Sequence, residues 1–303
     1  MGKRKAKVSA ETPVGRAMAR VLPPKVEDVL THEQSVRGAS VEGVHDMRVA
    51  TKRLREATRL FLPALGRKRM KRHLAHLELL NDTLGAVRDL DVLQIEVTQL
   101  GGGDGALSEG LAPLLADLQD RREQAGRRLE GVLDETLGYL EGDFAELIHD
   151  KPKKRAKVRK MAFAALGCLE IGERTQAAFA MEQAARVPEA SAEFHRMRIA
   201  IKKVKYALEL FLDAIGKPAK KAYPPISELQ ELMGLVHDRD VLIATVQGAA
   251  GAVLSPEVAV LATTRAHEQR DRLHADTLAL LDEIRERRTV KGLLKATCRR
   301  AGP

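Results

Sequence analysis

Apolar residues recur along most of this chain at spacings of three and four residues, which is the period of an amphipathic α-helix. Alternation at a spacing of two, bounded by turn residues, is scarce. The segment from Val241 to Val246 is strand-like by itself, but we expect the helix predicted around it to include it. The pattern therefore predicts an all-α protein.

Glycine and proline residues divide this pattern into helices. In the first half we expect four helices, from Glu11 to about Arg37, from Val41 to about Leu65, from Lys68 to about Leu100, and from Leu107 to about Ile148. The fourth is expected to break near Gly131 or Gly138. In the second half, the predicted breaks are around Pro188, at Gly216-Lys217-Pro218, and from Gly248 to Pro256.

One basic helix occurs twice. The residues from His45 to Arg55 (HDMRVATKRLR) match those from His195 to Lys205 (HRMRIAIKKVK), 150 positions later. A second block, from Leu84 to Val92 (LGAVRDLDV), recurs from Met233 to Val241 (MGLVHDRDV) at an offset of 149. Two matching blocks in the same order and at nearly the same spacing predict an internal duplication.

The duplication predicts how the chain is organised. We expect a single domain over residues 8–303, made of a first helical repeat (8–150) and a second (151–303). Each repeat is predicted to contribute a four-helix bundle.

The basic residues of each repeated helix form a row. At 3.6 residues per turn they fall within an arc of about 80°, beside an arc of apolar residues that would pack against the core. The first row consists of His45, Arg48, Lys52, Arg55 and Arg59, and the second of His195, Arg198, Lys202 and Lys205. Arg offers phosphate a planar fork of N–H donors, and Lys adds a point charge. Two such rows suggest a preformed site for a long polyanion.

The third helix of each repeat could add further bases. The candidates are Arg69, Arg72, His73 and His76 in the first repeat, and Lys220 and Lys221 in the second. If the second and third helices of a repeat form a hairpin, these side chains can converge on the rows.

A row of charges on a helix is more often a solvated face, on which acidic residues three or four positions away form ion pairs. The first row has no acidic residue on its arc, and the second meets only Glu209 at its far end. Repetition and the lack of compensating charge favour a binding site.

Composition narrows the class of partner. The net charge of +9 favours anionic partners. Aromatic residues make up only 3% and Trp is absent, so few side chains can stack on bases. A protein that binds the nucleic-acid backbone by charge alone remains an alternative, although the sequence disfavours it.

The sequence also indicates a compartment. Cys168 and Cys298 lie far apart without metal-ligand spacing, which is typical of a reduced intracellular protein. No apolar region follows the basic N-terminus, and no stretch of about 18 uncharged apolar residues occurs. We therefore expect a cytoplasmic protein without a membrane partner.

Paired aspartates in the second block invite a metal or acid–base hypothesis. Asp89 with Asp91, and Asp238 with Asp240, are two positions apart. On a helix such residues point about 200° apart, so neither pair can easily hold one ion. We expect one Asp of each pair to anchor an Arg or Lys of a neighbouring helix.

A metal-dependent phosphohydrolase is the enzymatic alternative. Its ligands would come from His45-Asp46, His237-Asp238 and His73 with His76. The duplication argues against it, because none of these groups is repeated in the other half. We expect no catalytic residue, no metal and no cofactor.

The two repeated blocks resemble the paired signatures of the CHAD family, named for its histidine-bearing α-helical domain. The resemblance covers nearly the whole chain. It implies a pseudo-twofold pair of helical bundles around a basic central cavity that binds inorganic polyphosphate, in proteins associated with polyphosphate granules. Other polyanions, such as phosphate or sulfate, would suit the same cleft.

By motif match, this binding role falls on His45, Arg48, Lys52 and Arg55, and on His195, Arg198, Lys202 and Lys205. Lys52 and Lys205 stand where the family often has Arg, which keeps the charge but loses the bidentate contact. Many relatives join this domain to a CYTH-type triphosphatase, whose Glu-x-Glu-x-Lys strand motif does not occur here.

Overall fold

The computed structural model describes residues 8–144, 146, 156–187 and 190–301, with the backbone alone for residues 67–69 and 299–301. In the first half the helices are α1 (Val14–Thr31), α2 (Glu33–Arg37), α3 (Val41–Leu60), α4 (Leu62–Leu65), α5 (Arg67–Gly101) and α6 (Gly105–Glu141). In the second half they are α7 (Ala156–Lys160), α8 (Phe163–Phe179), α9 (Glu182–Ala185), α10 (Ser191–Ile215), α11 (Lys217–Ala249), α12 (Pro256–Glu286) and α13 (Thr289–Ala301). Within these ranges there is no strand, which confirms the all-α prediction.

Several predicted boundaries are confirmed, and each has a local cause. Gly66 and Gly216 precede α5 and α11 with φ values of 92° and 75°, in the left-handed region that a side chain disfavours. Ser40 and Asp104 cap α3 and α6, because each side chain accepts a hydrogen bond from a backbone N–H of the first turn. Helix α11 includes Val241 to Val246, as expected.

Other boundaries differ from the predictions. The expected break near Gly131 or Gly138 is wrong, since α6 continues to Glu141. A glycine inside a helix costs about 1 kcal/mol relative to alanine, and burial of Leu133 and Leu137 on the packed face outweighs that cost. The predicted end at Ile148 lies outside the described residues.

Two predicted helices are divided in the structure. His32 separates α1 from α2, and Phe61 separates α3 from α4. The sequence pattern also did not separate α12 from α13. Helix α12 ends at Glu286 and α13 begins at Thr289, and Arg288 between them has a φ of 52°. Helix α13 packs against α8 and α11.

The main core draws buried residues from both halves of the chain. At its centre, the ring of Phe163 lies 6.1 Å from that of Phe61 and 4.6 Å from that of Phe211, centroid to centroid. Gly167 allows this packing, because a Cβ atom there would lie 2.6 Å from the Phe211 ring. A smaller core, which includes Leu100 and Val246, joins the far ends of α5, α6, α11 and α12.

The long helices form neighbouring pairs. Helix α3 packs against α5, α10 packs against α11, and α3 and α10 contact each other between these pairs. The second and third predicted helices of each half are therefore side by side, as the hairpin hypothesis required. This arrangement places both basic helices next to each other at the centre of the molecule.

Candidate functional site

Four helices, α3, α5, α10 and α11, enclose a cavity of about 790 Å³ that opens to solvent. Ligand sites in proteins commonly have volumes of roughly 300–1,000 Å³. Its charged or titratable lining consists of His45, Arg48, Lys52, Arg53, Arg88, Asp89, Arg198, Lys202, Lys205, Tyr206, Glu209, Glu231, His237 and Asp238. Seven of these are Arg or Lys, against four carboxylates.

Helix α3 contributes the first basic row to this cavity. His45, Arg48 and Lys52 line it, while Met47 and Leu54 on the neighbouring arc are fully buried in the core. Because the apolar arc is fixed by packing, the rotation of the helix about its axis is fixed too. The basic arc consequently faces the cavity.

Helix α10 contributes the second row in the same way. Arg198, Lys202 and Lys205 line the cavity, and Met197 and Val204 are fully buried beside them. The two rows, separated by about 150 positions in the sequence, thus face one common space.

The two rows lie close enough together to lower the pKa values of their own lysines. Burial, and next the charge of Lys202, lower the pKa of Lys52 to about 6. Burial, followed by the charges of Arg198 and Arg48, lowers the pKa of Lys202 to about 8. Burial also lowers the pKa of Arg198. Cations that oppose each other in this way are stabilised by a bound anion.

Histidines lie at the same site. Burial and then the charge of Arg198 lower the pKa of His237 to about 4, and its ring centroid is 4.8 Å from that of His195. Partial burial, and next the charge of Arg88, lower the pKa of His45. His45 and His237 are therefore predominantly neutral at pH 7 in the free protein.

Two arginines of the cavity each have a buried N–H group without a partner. The Nε atoms of Arg48 and Arg198 are buried, and neither has a hydrogen-bond partner among the described residues. A buried donor without a partner carries a desolvation penalty of about 1–3 kcal/mol. Burial of two such groups at one site is a cost to the stability of the free protein.

Acidic residues from neighbouring helices partly balance the rows. Asp89 on α5 accepts a hydrogen bond from Arg48 at 3.0 Å. Asp238 also lines the cavity, and burial raises the pKa of its carboxyl group. Arg53 forms an ion pair of 2.9 Å with Glu209, which joins α3 to α10. The sequence showed no acidic residue on the first arc because most of these partners lie on other helices.

The remaining aspartates of the second block have anchoring roles. Asp91 binds Arg122 of α6 at 3.0 Å, and Asp240 binds Arg270 of α12 at 3.0 Å. We expected one aspartate of each pair to bind a basic residue of a neighbouring helix. In the first pair both do, because Asp89 also binds an arginine.

Two residues of the first predicted row do not line the cavity. Arg59 donates hydrogen bonds to Glu56 at 2.6 Å and to Glu78 at 2.7 Å. Arg55 lies 3.5 Å from the same Glu56. Both arginines are therefore engaged by carboxylates, although the charge of Arg55 still contributes to the low pKa values of Lys52 and Lys202.

The bases predicted from the third helices lie away from the cavity. His76 stacks on Tyr139 with ring centroids 3.9 Å apart, and His73 is hydrogen-bonded to the same phenol. Arg72 forms an exposed ion pair with Asp143.

Antiparallel packing explains this placement, since the end of α3 that carries the row adjoins the later part of α5. In the second half, Lys220 pairs with Asp213 at 2.9 Å and Lys221 is exposed, and neither lines the cavity. The side chain of Arg69 lies outside the described residues, and His195 adjoins the cavity through His237 without lining it.

Sequence reasoning missed Arg88 and His237 as binding candidates, although both line the cavity. They occupy the same position in the two copies of the second block, immediately before Asp89 and Asp238. That position is basic in both halves, and this signal could have identified it. Arg53 carries the same signal, because Lys203 occupies its position in the second copy of the basic helix, whereas Tyr206 and Gln230 carry none.

The histidine–aspartate groups considered for a metal enzyme do not form one cluster. His73 and His76 contact Tyr139, away from His45 and His237. Over the described ranges, no group of three or more His, Cys, Asp or Glu side chains could hold a metal ion. No helix in the same ranges is long and apolar enough to cross a membrane.

The fold and the site together define the class of protein: an all-helical domain with a basic cavity between two central helices. The family model described as CHAD domain matches residues 20–247, and the chain therefore belongs to the CHAD domain family. The resemblance found in the sequence is confirmed.

Solved structures share this fold. A CHAD domain from the plant Ricinus communis superposes with a TM-score of 0.73 at 23% identity, covering 97% of this chain and 96% of that one. PptA from Streptomyces chartreusis superposes with a TM-score of 0.61 at 18% identity, covering 95% and 99%. At these identities the likeness concerns the fold alone. No curated protein matches the sequence.

Proposed function

We propose that this protein binds inorganic polyphosphate in the cavity between α3 and α10, without catalysing a reaction on it. One observation carries the proposal: two rows of cations oppose each other across a space of about 790 Å³. Burial, and next the charge of Lys202, lower the pKa of Lys52, so the free site has more capacity for positive charge than it uses. A polyanion would supply the missing counter-charge.

The dimensions favour a linear polyanion over a single phosphate. From His45 to Lys52 the helix rises about 11 Å at 1.5 Å per residue. The guanidinium groups of Arg48 and Arg198 come from opposite helices, so one bound polyphosphate chain would contact both rows. Capture would be electrostatic, with affinity that falls as salt rises, by analogy with binding to DNA.

The proposal includes a duplicated origin and a pseudo-twofold relation between the halves. Residues at corresponding positions of the repeated blocks serve the same purpose. Arg48 and Arg198 line the cavity, and the anchors Asp91–Arg122 and Asp240–Arg270 tie the third helix to the fourth in each half. This function implies that the protein is cytoplasmic and located at polyphosphate granules.

Binding of a nucleic-acid backbone uses the same forces. The cavity is enclosed by four helices and offers one Tyr as its sole aromatic platform among the described residues. A duplex about 20 Å wide does not fit between adjacent helices whose axes are typically 8–10 Å apart. The geometry therefore favours a narrow, unbranched polyanion.

Calorimetric titration with polyphosphates of increasing length, at two salt concentrations and with DNA as control, tests the proposal. We expect length-dependent and salt-sensitive binding of polyphosphate, and much weaker binding of DNA. Equal binding of both would replace the proposal with a general polyanion binder. Absence of binding, or phosphate release in the presence of the protein, would contradict it.

A further inference from the structure

The amine of Lys52 has no hydrogen-bonding or ion-pairing partner among the described residues, although it lies in a cavity lined by arginines. By contrast, Lys205 donates a hydrogen bond to Gln230 at 2.7 Å. Asp89, the nearest influence of opposite charge on Lys52, is bound to Arg48. The amine is accessible from a site whose other side chains suit phosphate groups.

The charges around this amine favour its neutral form. Burial has the largest effect, and the positive charges of Lys202, Arg48 and Arg55 add to it, while Asp89 opposes them. Together they lower the pKa of Lys52 to about 6. At pH 7.5 most of the Lys52 population therefore has a free electron pair, whereas an ordinary lysine with a pKa of about 10.4 is neutral in roughly 0.1% of molecules.

A neutral amine beside guanidinium groups is suited to a particular class of reagent. Acyl phosphates, which are mixed anhydrides of a carboxylic acid and phosphoric acid, carry an anionic phosphate next to an electrophilic carbonyl carbon. Arg48 and Arg198 can bind the phosphate and so bring the carbonyl towards the cavity wall that carries Lys52. We propose that Lys52 is a site of covalent acylation by acyl phosphates bound in this cavity.

The chemistry needs no further reactant. The lone pair of Lys52 Nζ attacks the carbonyl carbon, and the bond from that carbon to the bridging oxygen breaks. Inorganic phosphate leaves with the bonding electron pair, the nitrogen loses a proton to solvent, and an amide remains. The Arg48 and Arg198 guanidinium groups would stabilise the negative charge of the leaving phosphate.

Acylation would also affect the proposed function, on whose anion site the inference rests. The amide cannot take up a proton, so a polyanion entering the cavity would lose one potential cation. The acyl group would also occupy part of the space between the two rows. Acylation of Lys52 is thus expected to lower the affinity for polyphosphate.

The test uses the intact protein and acetyl phosphate at pH 7.5, with acetylation at each lysine followed by quantitative peptide mass spectrometry. Lys203 provides an internal reference, because it lies on α10 and is exposed. At pH 7.5 the neutral fraction of Lys52 is about three orders of magnitude larger than that of an ordinary lysine. An amine of lower pKa is also a weaker nucleophile, and with a Brønsted slope near 0.5 the remaining rate advantage is roughly tenfold. Nα-acetyl-lysine in the same solution gives the reference rate of a free side chain.

We expect Lys52 to react about tenfold faster than Lys203 and to be protected by added polyphosphate. Equal rates at Lys52 and Lys203 would overturn the acylation site. A preference for Lys52 that is the same with acetyl phosphate and with a neutral acetylating ester would overturn the role of the bound phosphate. Calorimetry on the unreacted protein tests polyphosphate binding separately, so failure of the proposed function is recognised independently of the acylation result.

Discussion

Replacing Lys52 by methionine removes the cavity amine while keeping an unbranched side chain of similar length. Folding buries the Lys52 ammonium and places it among other cations, and both effects disfavour its charged form. Its pKa is about 6 in the folded protein, against 10.5 in the unfolded chain. The unfolded chain therefore binds more protons than the folded protein between these pH values, and Lys52 opposes folding.

The size of this effect follows from the pKa difference. Each pKa unit corresponds to about 1.36 kcal/mol, so Lys52 destabilises the protein by about 6 kcal/mol below pH 6 and by about 5 kcal/mol at pH 7. The effect falls to about 2 kcal/mol at pH 9 and to below about 0.5 kcal/mol at pH 10.5, where half of the unfolded population has also lost this proton. Lys52→Met should remove this penalty and stabilise the free protein.

Calorimetric unfolding of the wild-type protein and Lys52→Met as a function of pH measures the difference. With an unfolding entropy of about 2.1 cal/mol/K per residue, the melting temperature should rise by about 8 °C at pH 7 and by about 3 °C at pH 9. Lys203→Met is the matched control, because the same substitution at that exposed site should change stability by less than about 0.5 kcal/mol.

The same variant should bind polyphosphate less tightly. In the wild-type protein the polyanion draws a proton onto Lys52, so the binding enthalpy at pH 7.5 should depend on the ionisation enthalpy of the buffer. Lys52→Met should take up almost one proton fewer, and wild-type affinity should increase as the pH falls from 7.5 to 6. A stability difference that does not change with pH, or equal proton uptake by both proteins, would refute the reasoning.

Three further variants separate binding from stability. The double variant Arg48→Ala with Arg198→Ala should abolish polyphosphate binding in calorimetry and leave helicity by circular dichroism unchanged; retained binding would mean that another face binds the ligand. Asp89→Asn should tighten binding by about threefold to tenfold, because it frees Arg48 from its ion pair, and an unchanged affinity would count against competition by Asp89. Asp91→Asn should instead lower the free energy of unfolding by about 3–5 kcal/mol, since it leaves the Arg122 charge without its nearly buried partner; chemical denaturation measures this, and a loss below about 1 kcal/mol would contradict the anchoring role.

Much of the cavity could be predicted from local sequence. Arg48 and Lys52 are four residues apart on one helix, as are Arg198 and Lys202, and the apolar residues beside them indicate which way each helix faces. All four line the cavity. The prediction needed only the helical period, which the sequence displays directly.

The outcome for Arg59 could be predicted only in part. Its ion pair with Glu56, three positions earlier on α3, follows the helical spacing, but Glu78 on a neighbouring helix also binds it, 19 positions later in the chain. His73 and His76 share one face of α5, and that face meets Tyr139 of α6. Which face of a helix meets which neighbour depends on the packing of the whole core, and the spacing of residues on one helix contains no information about it.

The sequence by itself determined the helices, the two basic rows and their relation to the CHAD family, because each depends on residues close together in the chain or on a repeated motif. The tertiary structure alone decided that the rows face one cavity. It also decided that the charge of Lys202, 150 positions later in the chain, lowers the pKa of Lys52. The physical reason is that burial and Coulomb interactions depend on distance in space. The charge state of the site therefore exists only after α3 and α10 have packed together.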